Sequence, residues 1–141
     1  VYDGKGKSGG TGQTKEEHAA ELYERATTEE GQGNFESALM LFSGAARAHA
    51  RPRYMRRAAT CAIKAGKLDE AESWARQALD LRREDPSYYR VMADVLRASD
   101  RLDEAFEVLS EAAEIRTEND ALASEVLSDL DRVKAALGRS D

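Results

Sequence analysis

Apolar residues recur every three or four positions from residue 15 onward, and polar residues fill the positions between them. This spacing is typical of helices that bury one face, and the strict alternation of half-buried strands does not occur. Alanine, glutamate, arginine and leucine dominate the chain, and all four favour helices. The pattern predicts seven helices, at residues 15–31, 35–49, 53–65, 69–83, 87–99, 103–116 and 119–137.

Three short segments of the chain share one pattern, a turn followed by the first turn of a new helix. Their last residues, Ala38, Ala71 and Ala105, are spaced by 33 and then 34 residues. Gly33 and Gly66 stand where a helix would end in a left-handed cap, which glycine adopts without steric cost. A fixed period of this length predicts stacked helical repeats. The segments are 33–38, 66–71 and 100–105.

The period and several residues in register resemble the tetratricopeptide repeat family, over about residues 16–118. Small residues recur in the first and second helix of each repeat, where they let paired helices approach closely, and larger residues fill the remaining gaps. The resemblance implies an all-α fold, a right-handed α-solenoid of three helix-turn-helix repeats. The small residues are Ala26, Ala59 and Ala93 in the first helices and Ala45, Ala78 and Ala112 in the second; the larger ones are Leu22, Met55 and Tyr89.

The repeats are predicted at residues 16–49, 53–83 and 87–117, within one domain that spans residues 15–137. A seventh helix, at 119–137, carries one apolar stripe, so we expect it to cover the open end of the stack as a capping helix. The stripe consists of Leu122, Val126, Leu130, Val133 and Leu137.

Two polar residues on the first helix, Arg25 and Glu29, stand at positions that the family resemblance places against a preceding repeat. The equivalents are Ala58 and Ala62, then Met92 and Leu96. Because burying Arg25 and Glu29 without partners would be costly, we expect that no repeat stacks upstream.

The glycine-rich residues 1–14 are predicted to be a flexible linker from a missing upstream domain, and residues 138–141 a disordered tail. Within the linker, Gly6-Lys7-Ser8 matches the end of a phosphate-binding loop, but Val1 stands where that loop requires its first glycine.

The overall charge of −6 argues against a general nucleic-acid binder, although charged residues make up 34% of the chain. No apolar run approaches the roughly 20 residues of a membrane span, so no membrane partner is expected. The single cysteine, Cys61, excludes an internal disulfide and fits a reducing compartment. We therefore expect a cytoplasmic location.

The inventory of reactive side chains predicts no enzyme, no metal site and no cofactor. The chain has two histidines, His18 and His49, and neither they nor Cys61 follow a metal-ligand spacing. Cys61 lies among alanines in a predicted helix, which is typical of a packed core residue rather than a nucleophile.

Five arginines lie within residues 47–57 of this acidic chain. Three of them, Arg53, Arg56 and Arg57, fall in the first turns of a helix, where the helix dipole disfavours positive charge. One interpretation is a solvated face paired with nearby carboxylates. The other is a surface that binds an anionic ligand.

In the tetratricopeptide repeat family, the first helices of the repeats line a concave groove that binds extended peptides or partner helices. Five of the nine positions that the resemblance places in this groove are cationic, so we expect it to bind an acidic protein or peptide. Tyr23 and Thr27 stand where the family's carboxylate clamp has Lys and Asn, which argues against that particular partner. The groove positions are Tyr23, Thr27, Arg53, Arg56, Thr60, Lys64, Arg90, Asp94 and Arg97.

The leading hypothesis is thus a non-catalytic protein-interaction module, whose oligomeric state the sequence leaves open. A second hypothesis is RNA binding by the same arginines, for which exposed aromatic residues are few. A third is the repeat portion of a co-chaperone with a J-domain, because Tyr2-Asp3 before the linker resembles the end of such a domain.

Overall fold

The computed structural model of the protein describes residues 12–138, which form seven α-helices. Every predicted helix is present, and its ends lie within three residues of the predicted ones. The all-α helical-repeat fold expected from the sequence is therefore confirmed. The helices are α1 (Lys15–Gly31), α2 (Phe35–Ala48), α3 (Pro52–Lys64), α4 (Leu68–Leu81), α5 (Pro86–Ala98), α6 (Leu102–Ala113) and α7 (Asp120–Leu137).

The turns inside the three repeats all pass through left-handed backbone. Gly33 and Gly66 have φ angles of +82° and +76°, which confirms the predicted caps. Asp100 occupies the corresponding place in the third repeat with φ +59°. Aspartate tolerates this conformation better than most side chains, so the third turn keeps the same geometry without glycine.

Several helices begin with a defined cap. Thr14 and Glu17 form a reciprocal capping box at the start of α1. Pro52 and Pro86 open α3 and α5, where a missing backbone N–H leaves no helical hydrogen bond unmade. At the start of α7, the side chain of Asn119 accepts a hydrogen bond from the Leu122 amide.

Each helix packs against the next along the chain, and odd-numbered helices also meet one another. α5 packs against α4 and α3, and α7 packs against α6 and α5 in the same way. α7 thus continues the succession of first helices as a fourth member. Its Val126 and Val133 are buried, as the predicted stripe requires, and Leu130 is almost fully buried.

The core lies between the two layers of helices and is built on small residues. All six alanines that the repeat pattern singled out are at most 2% exposed. Alanine at these sites brings helix backbones close together, and larger side chains occupy the remaining volume. Phe42, Met92, Leu96 and Leu109 are the largest of the fully buried side chains.

The outer face of α1 differs from the corresponding faces of α3 and α5. Arg25 is exposed and lines an open depression of about 500 Å³ together with Glu29 and the exposed Met40. Their equivalents in the second repeat, Ala58 and Ala62, are fully buried. The expectation that no repeat stacks upstream remains a prediction.

Most of the predicted linker and tail, at residues 1–11 and 139–141, lies outside the described residues. Within residues 12–138, no helix has both the length and the apolar character needed to cross a bilayer.

Candidate functional site

The candidate site is the face formed by the odd-numbered helices, which the family resemblance predicts to be concave and which we therefore call the concave face. Side chains on this face join each odd helix to the next one. Arg57 of α3 reaches Tyr23 of α1, Arg56 of α3 reaches Ser87 of α5, and Arg90 of α5 reaches α7. All nine predicted groove residues lie on α1, α3 or α5.

Arg53 lies over an aromatic pair at the α1 end of this face. Its guanidinium carbon is 4.9 Å from the ring centroid of Tyr23 and 5.9 Å from that of Tyr54. The two tyrosine rings are themselves 5.1 Å apart, and Tyr54 is buried. A cation–π contact of this kind restrains the guanidinium without an acceptor atom, so its N–H groups can still donate to a ligand.

Arg56 is held in the same manner one helix further along. It lies 5.1 Å from the Tyr88 ring centroid, and its Nη1 donates a hydrogen bond of 3.4 Å to the Ser87 hydroxyl. That hydroxyl in turn donates to Asp85. Arg56 therefore contacts a neutral oxygen rather than a carboxylate.

The remaining polar groove residues of the first two repeats make mostly local contacts. Thr27 and Thr60 each donate a hydrogen bond to the carbonyl four residues earlier in their own helix. Lys64 lies at the end of α3, with its ammonium 5.1 Å from the Phe35 ring of α2. The structure therefore brings Arg53 and Tyr23 together but assigns Lys64 to a different neighbour.

Arg57 is a member of this face that the sequence analysis did not include. It donates a hydrogen bond of 2.6 Å to the Tyr23 hydroxyl, forms an ion pair with Glu30, and lies 4.9 Å from the Phe42 ring centroid. Burial disfavours its charge, but the Glu30 carboxylate outweighs this effect and raises the pKa of Arg57.

Cys61, one helical turn after Arg57, also points to Glu30. Its Sγ lies 3.6 Å from Glu30 Oε2, and the side chain is fully buried. Burial, followed by the negative charge of Glu30, raises the pKa of the Cys61 thiol to about 12. The thiol is thus a protonated donor rather than a nucleophile, which agrees with the predicted core role.

Arg90 is paired with two carboxylates of α7. Its Nε donates to Asp129 Oδ2 at 2.6 Å, and its Nη1 contacts Glu125 Oε1 at 3.0 Å. Hydrogen bonding to Asp129 is the main cause that raises the pKa of Arg90. Asp129 is nearly buried and is also paired with Arg132 at 2.9 Å.

Two signals in the sequence could have indicated that Arg57, Glu125 and Asp129 lie on the helix faces that form these contacts. Arg57 and Cys61 are four residues apart and so share a helix face, as do Glu125 and Asp129. The two pairs also stand in the same register, because positions 57, 91 and 125 are spaced by 34 residues. The intervening pair in α5 is apolar, Val91 and Val95.

The last groove residues, Asp94 and Arg97, form a loose pair on α5 with 3.8 Å between Oδ1 and Nη1. The Asp94 side chain is 55% exposed, but surrounding protein atoms displace part of the water near its carboxyl. This partial desolvation, and then repulsion by Asp129, raises the pKa of Asp94. No group of His, Cys, Asp or Glu within residues 12–138 is arranged to hold a metal ion. What the concave face offers chemically is a set of oriented guanidinium groups.

Comparison with known proteins agrees with this architecture. A family model described as "Tetratricopeptide repeat" matches residues 29–95. No curated protein sequence gives a significant match to the chain.

Among solved structures, the first tetratricopeptide repeat domain of Spaghetti (RPAP3), bound to the HSP90 peptide SRMEEVD, superposes with a TM-score of 0.74. The match has 22% identity and covers 87% of this chain and 98% of that one. The Yersinia enterocolitica type III secretion chaperone SycD, in complex with a peptide of the translocator YopD, gives a TM-score of 0.72 at 21% identity, covering 83% and 92%. The Sgt2 repeat domain of Aspergillus fumigatus gives 0.74 at 13% identity, covering 92% and 85%. At these identities the likeness concerns the fold.

Proposed function

We propose that the chain, which matches the tetratricopeptide repeat model over residues 29–95 and shares the fold of such domains, is a non-catalytic protein-interaction module whose concave face binds an acidic peptide or helix. One observation carries the proposal. Arg53 and Arg56 make cation–π contacts with tyrosine rings, and neither has a carboxylate partner within residues 12–138. Guanidinium groups held in this way favour carboxylate ligands, which can accept two N–H bonds from one arginine.

Two structural neighbours add support. The Spaghetti domain is bound to a peptide that contains two glutamates and an aspartate, and SycD is bound to a peptide of its translocator. Both are similar in fold to this chain, so a peptide in the concave face is a reasonable ligand here. The carboxylate-clamp residues of the family remain absent at Tyr23 and Thr27.

The RNA-binding alternative has less support. Base stacking requires accessible aromatic faces. Tyr54 and Tyr88 are buried, and the half-buried Tyr23 has Arg53 and Arg57 over its ring. The co-chaperone alternative concerns residues 1–14, most of which lie outside the described residues.

The test is binding of a fluorescein-labelled peptide of glutamates flanked by glycine and serine, followed by fluorescence polarisation at about 50 mM salt. Charge reversal by Arg53→Glu and Arg56→Glu is expected to weaken binding by at least about tenfold each, since a hydrogen bond to a charged group contributes about 1.5–3 kcal/mol. Arg116→Glu is the matched control, because Arg116 is exposed and lies in the connection between α6 and α7.

Equal losses of peptide affinity in all three variants would mean that only the total charge of the protein matters. That result would refute the assignment of the binding site to the concave face. A labelled single-stranded RNA of similar charge serves as the second probe. Tighter binding of that RNA than of the glutamate peptide would replace this proposal with the RNA-binding alternative.

A further inference from the structure

The two ends of the concave face differ in how many of their cations are already paired. Within residues 12–138, Arg53, Arg56 and Lys64 of α3 have no carboxylate partner. Arg90 and Arg97 of α5 each have at least one. Arg90 has donated N–H groups to its carboxylates, and Arg97 lies 3.8 Å from one. A nearby carboxylate offsets the positive charge of each arginine, so each attracts a second carboxylate much less.

The neutralising carboxylates at the α5 end are also accessible. The side chains of Asp94 and Glu125 are 55% and 56% exposed. A ligand carboxylate placed over α5 and α7 would therefore be repelled by these carboxylates on the same face. Repulsion between carboxylates is already present there, because the Asp129 charge contributes to the raised pKa of Asp94.

Resting on the proposed function, we infer that the partner's acidic residues form a short block seated over α1 and α3, and that its segment over α5 and α7 carries no negative charge. The face is thus selective for the position of acidic residues along the ligand as well as for their number. A groove in which all five predicted cations were unpaired would instead favour acidic residues over α3 and α5 alike.

The first part of the test compares four labelled peptides of equal length by fluorescence polarisation. One has four glutamates at its amino end, one has four at its carboxyl end, one has eight spread along its length, and one is neutral. We expect at least one four-glutamate peptide to bind better than the neutral one. The eight-glutamate peptide is expected to bind within about twofold of the better four-glutamate peptide, despite its doubled charge.

The second part changes the acidic end of the groove without touching the α3 arginines. Glu125→Lys removes one carboxylate from the α7 end of the concave face and adds a cation at the same exposed position. It is expected to tighten binding of the eight-glutamate peptide by about fivefold and that of the four-glutamate peptide by less than about twofold. Glu107→Lys, at an exposed position on α6, makes the same change in net charge and is the matched control.

The outcomes separate this inference from the function on which it rests. If no glutamate peptide binds better than the neutral one, the proposed function fails and the inference fails with it. If the eight-glutamate peptide binds the unmodified protein about tenfold more tightly than either four-glutamate peptide, only the inference is overturned. The inference is likewise overturned, and the proposed function kept, if Glu125→Lys and Glu107→Lys tighten the eight-glutamate peptide equally.

Discussion

Two contacts between odd helices, α1–α3 and α5–α7, use opposite arrangements of charge. At α1–α3, the arginine lies on the later helix, and Arg57 reaches back to Glu30. At α5–α7, it lies on the earlier helix, and Arg90 reaches forward to Glu125 and Asp129. In both cases the guanidinium spans the gap between one odd-numbered helix and the next.

Residues at equivalent repeat positions show why both arrangements work. Positions 57 and 61 carry Arg and Cys in α3, positions 91 and 95 carry two valines in α5, and positions 125 and 129 carry Glu and Asp in α7. Packing in this gap requires a suitable volume and paired polar atoms, and places little demand on which helix carries which charge. The comparison also explains the asymmetry of the concave face, since only the α7 arrangement directs carboxylates at a groove arginine.

The largest expected effect comes from breaking the α5–α7 contact with Arg90→Met. This substitution leaves the Asp129 carboxylate, only 5% exposed, with Arg132 as its remaining partner. Because Arg132 still pairs with this carboxylate, the loss is that of the charged hydrogen bonds to Arg90, and we expect the free energy of unfolding to fall by about 2.5 kcal/mol. Urea denaturation measures the change, with Arg83→Met as the control, because the Arg83–Asp80 pair is exposed and should contribute less than about 1 kcal/mol. Similar losses in both variants would show that Asp129 is adequately solvated without Arg90.

A smaller decrease in the free energy of unfolding is expected from the corresponding change at α1–α3, Arg57→Met. Glu30 is 17% exposed and retains the Cys61 thiol as a donor, so water can partly replace the guanidinium. The expected decrease in unfolding free energy is about 1.5 kcal/mol. The same denaturation series tests the ranking of the two contacts. An Arg57→Met loss greater than that of Arg90→Met would contradict the argument that exposure of the stranded carboxylate sets the effect.

The smallest expected effect is a pH dependence that distinguishes the α1–α3 contact from the α5–α7 contact, which contains no thiol. The folded-state pKa of Cys61 is raised to about 12, whereas an unfolded thiol ionises near pH 8.5. As the pH rises, the thiol therefore loses its proton first in the unfolded state. The contribution of the protonated thiol to the free energy of unfolding is fully present below about pH 8.5 and is lost as the pH rises toward 12.

The measurement is the unfolding free energy at pH 8 and at about pH 9.3, under reducing conditions, for the unmodified protein and for Cys61→Val. Valine occupies the equivalent position 95 in the next repeat, is similar in volume and does not titrate. We expect the unmodified protein to lose about 1 kcal/mol more than Cys61→Val between these pH values. Parallel pH profiles would mean that the thiol ionises as readily in the folded state as in the unfolded state.

Much of the fold could be predicted because its signals are local. Gly33 and Gly66 end helices through their own backbone preference, and the alanine register follows from contacts between neighbouring helices. The candidate site was less predictable. The groove positions identify Arg53, Arg56 and Arg90 as a group, but not that Arg90 is already paired. Arg57 and Glu30, 27 residues apart, gave no local sign of their ion pair.

What the sequence by itself determined is the succession of helices, the turns between them and the small residues that space them, because periodicity and backbone preference act within a few residues. Only the tertiary structure decided which charges meet, since Arg57 and Glu30, or Arg90 and Asp129, become neighbours only after the helices have stacked. Electrostatic interaction depends on distance and burial rather than on position along the chain. For that reason the repeat pattern predicted a basic groove, whereas packing of α7 against α5 neutralises Arg90 at one of its ends.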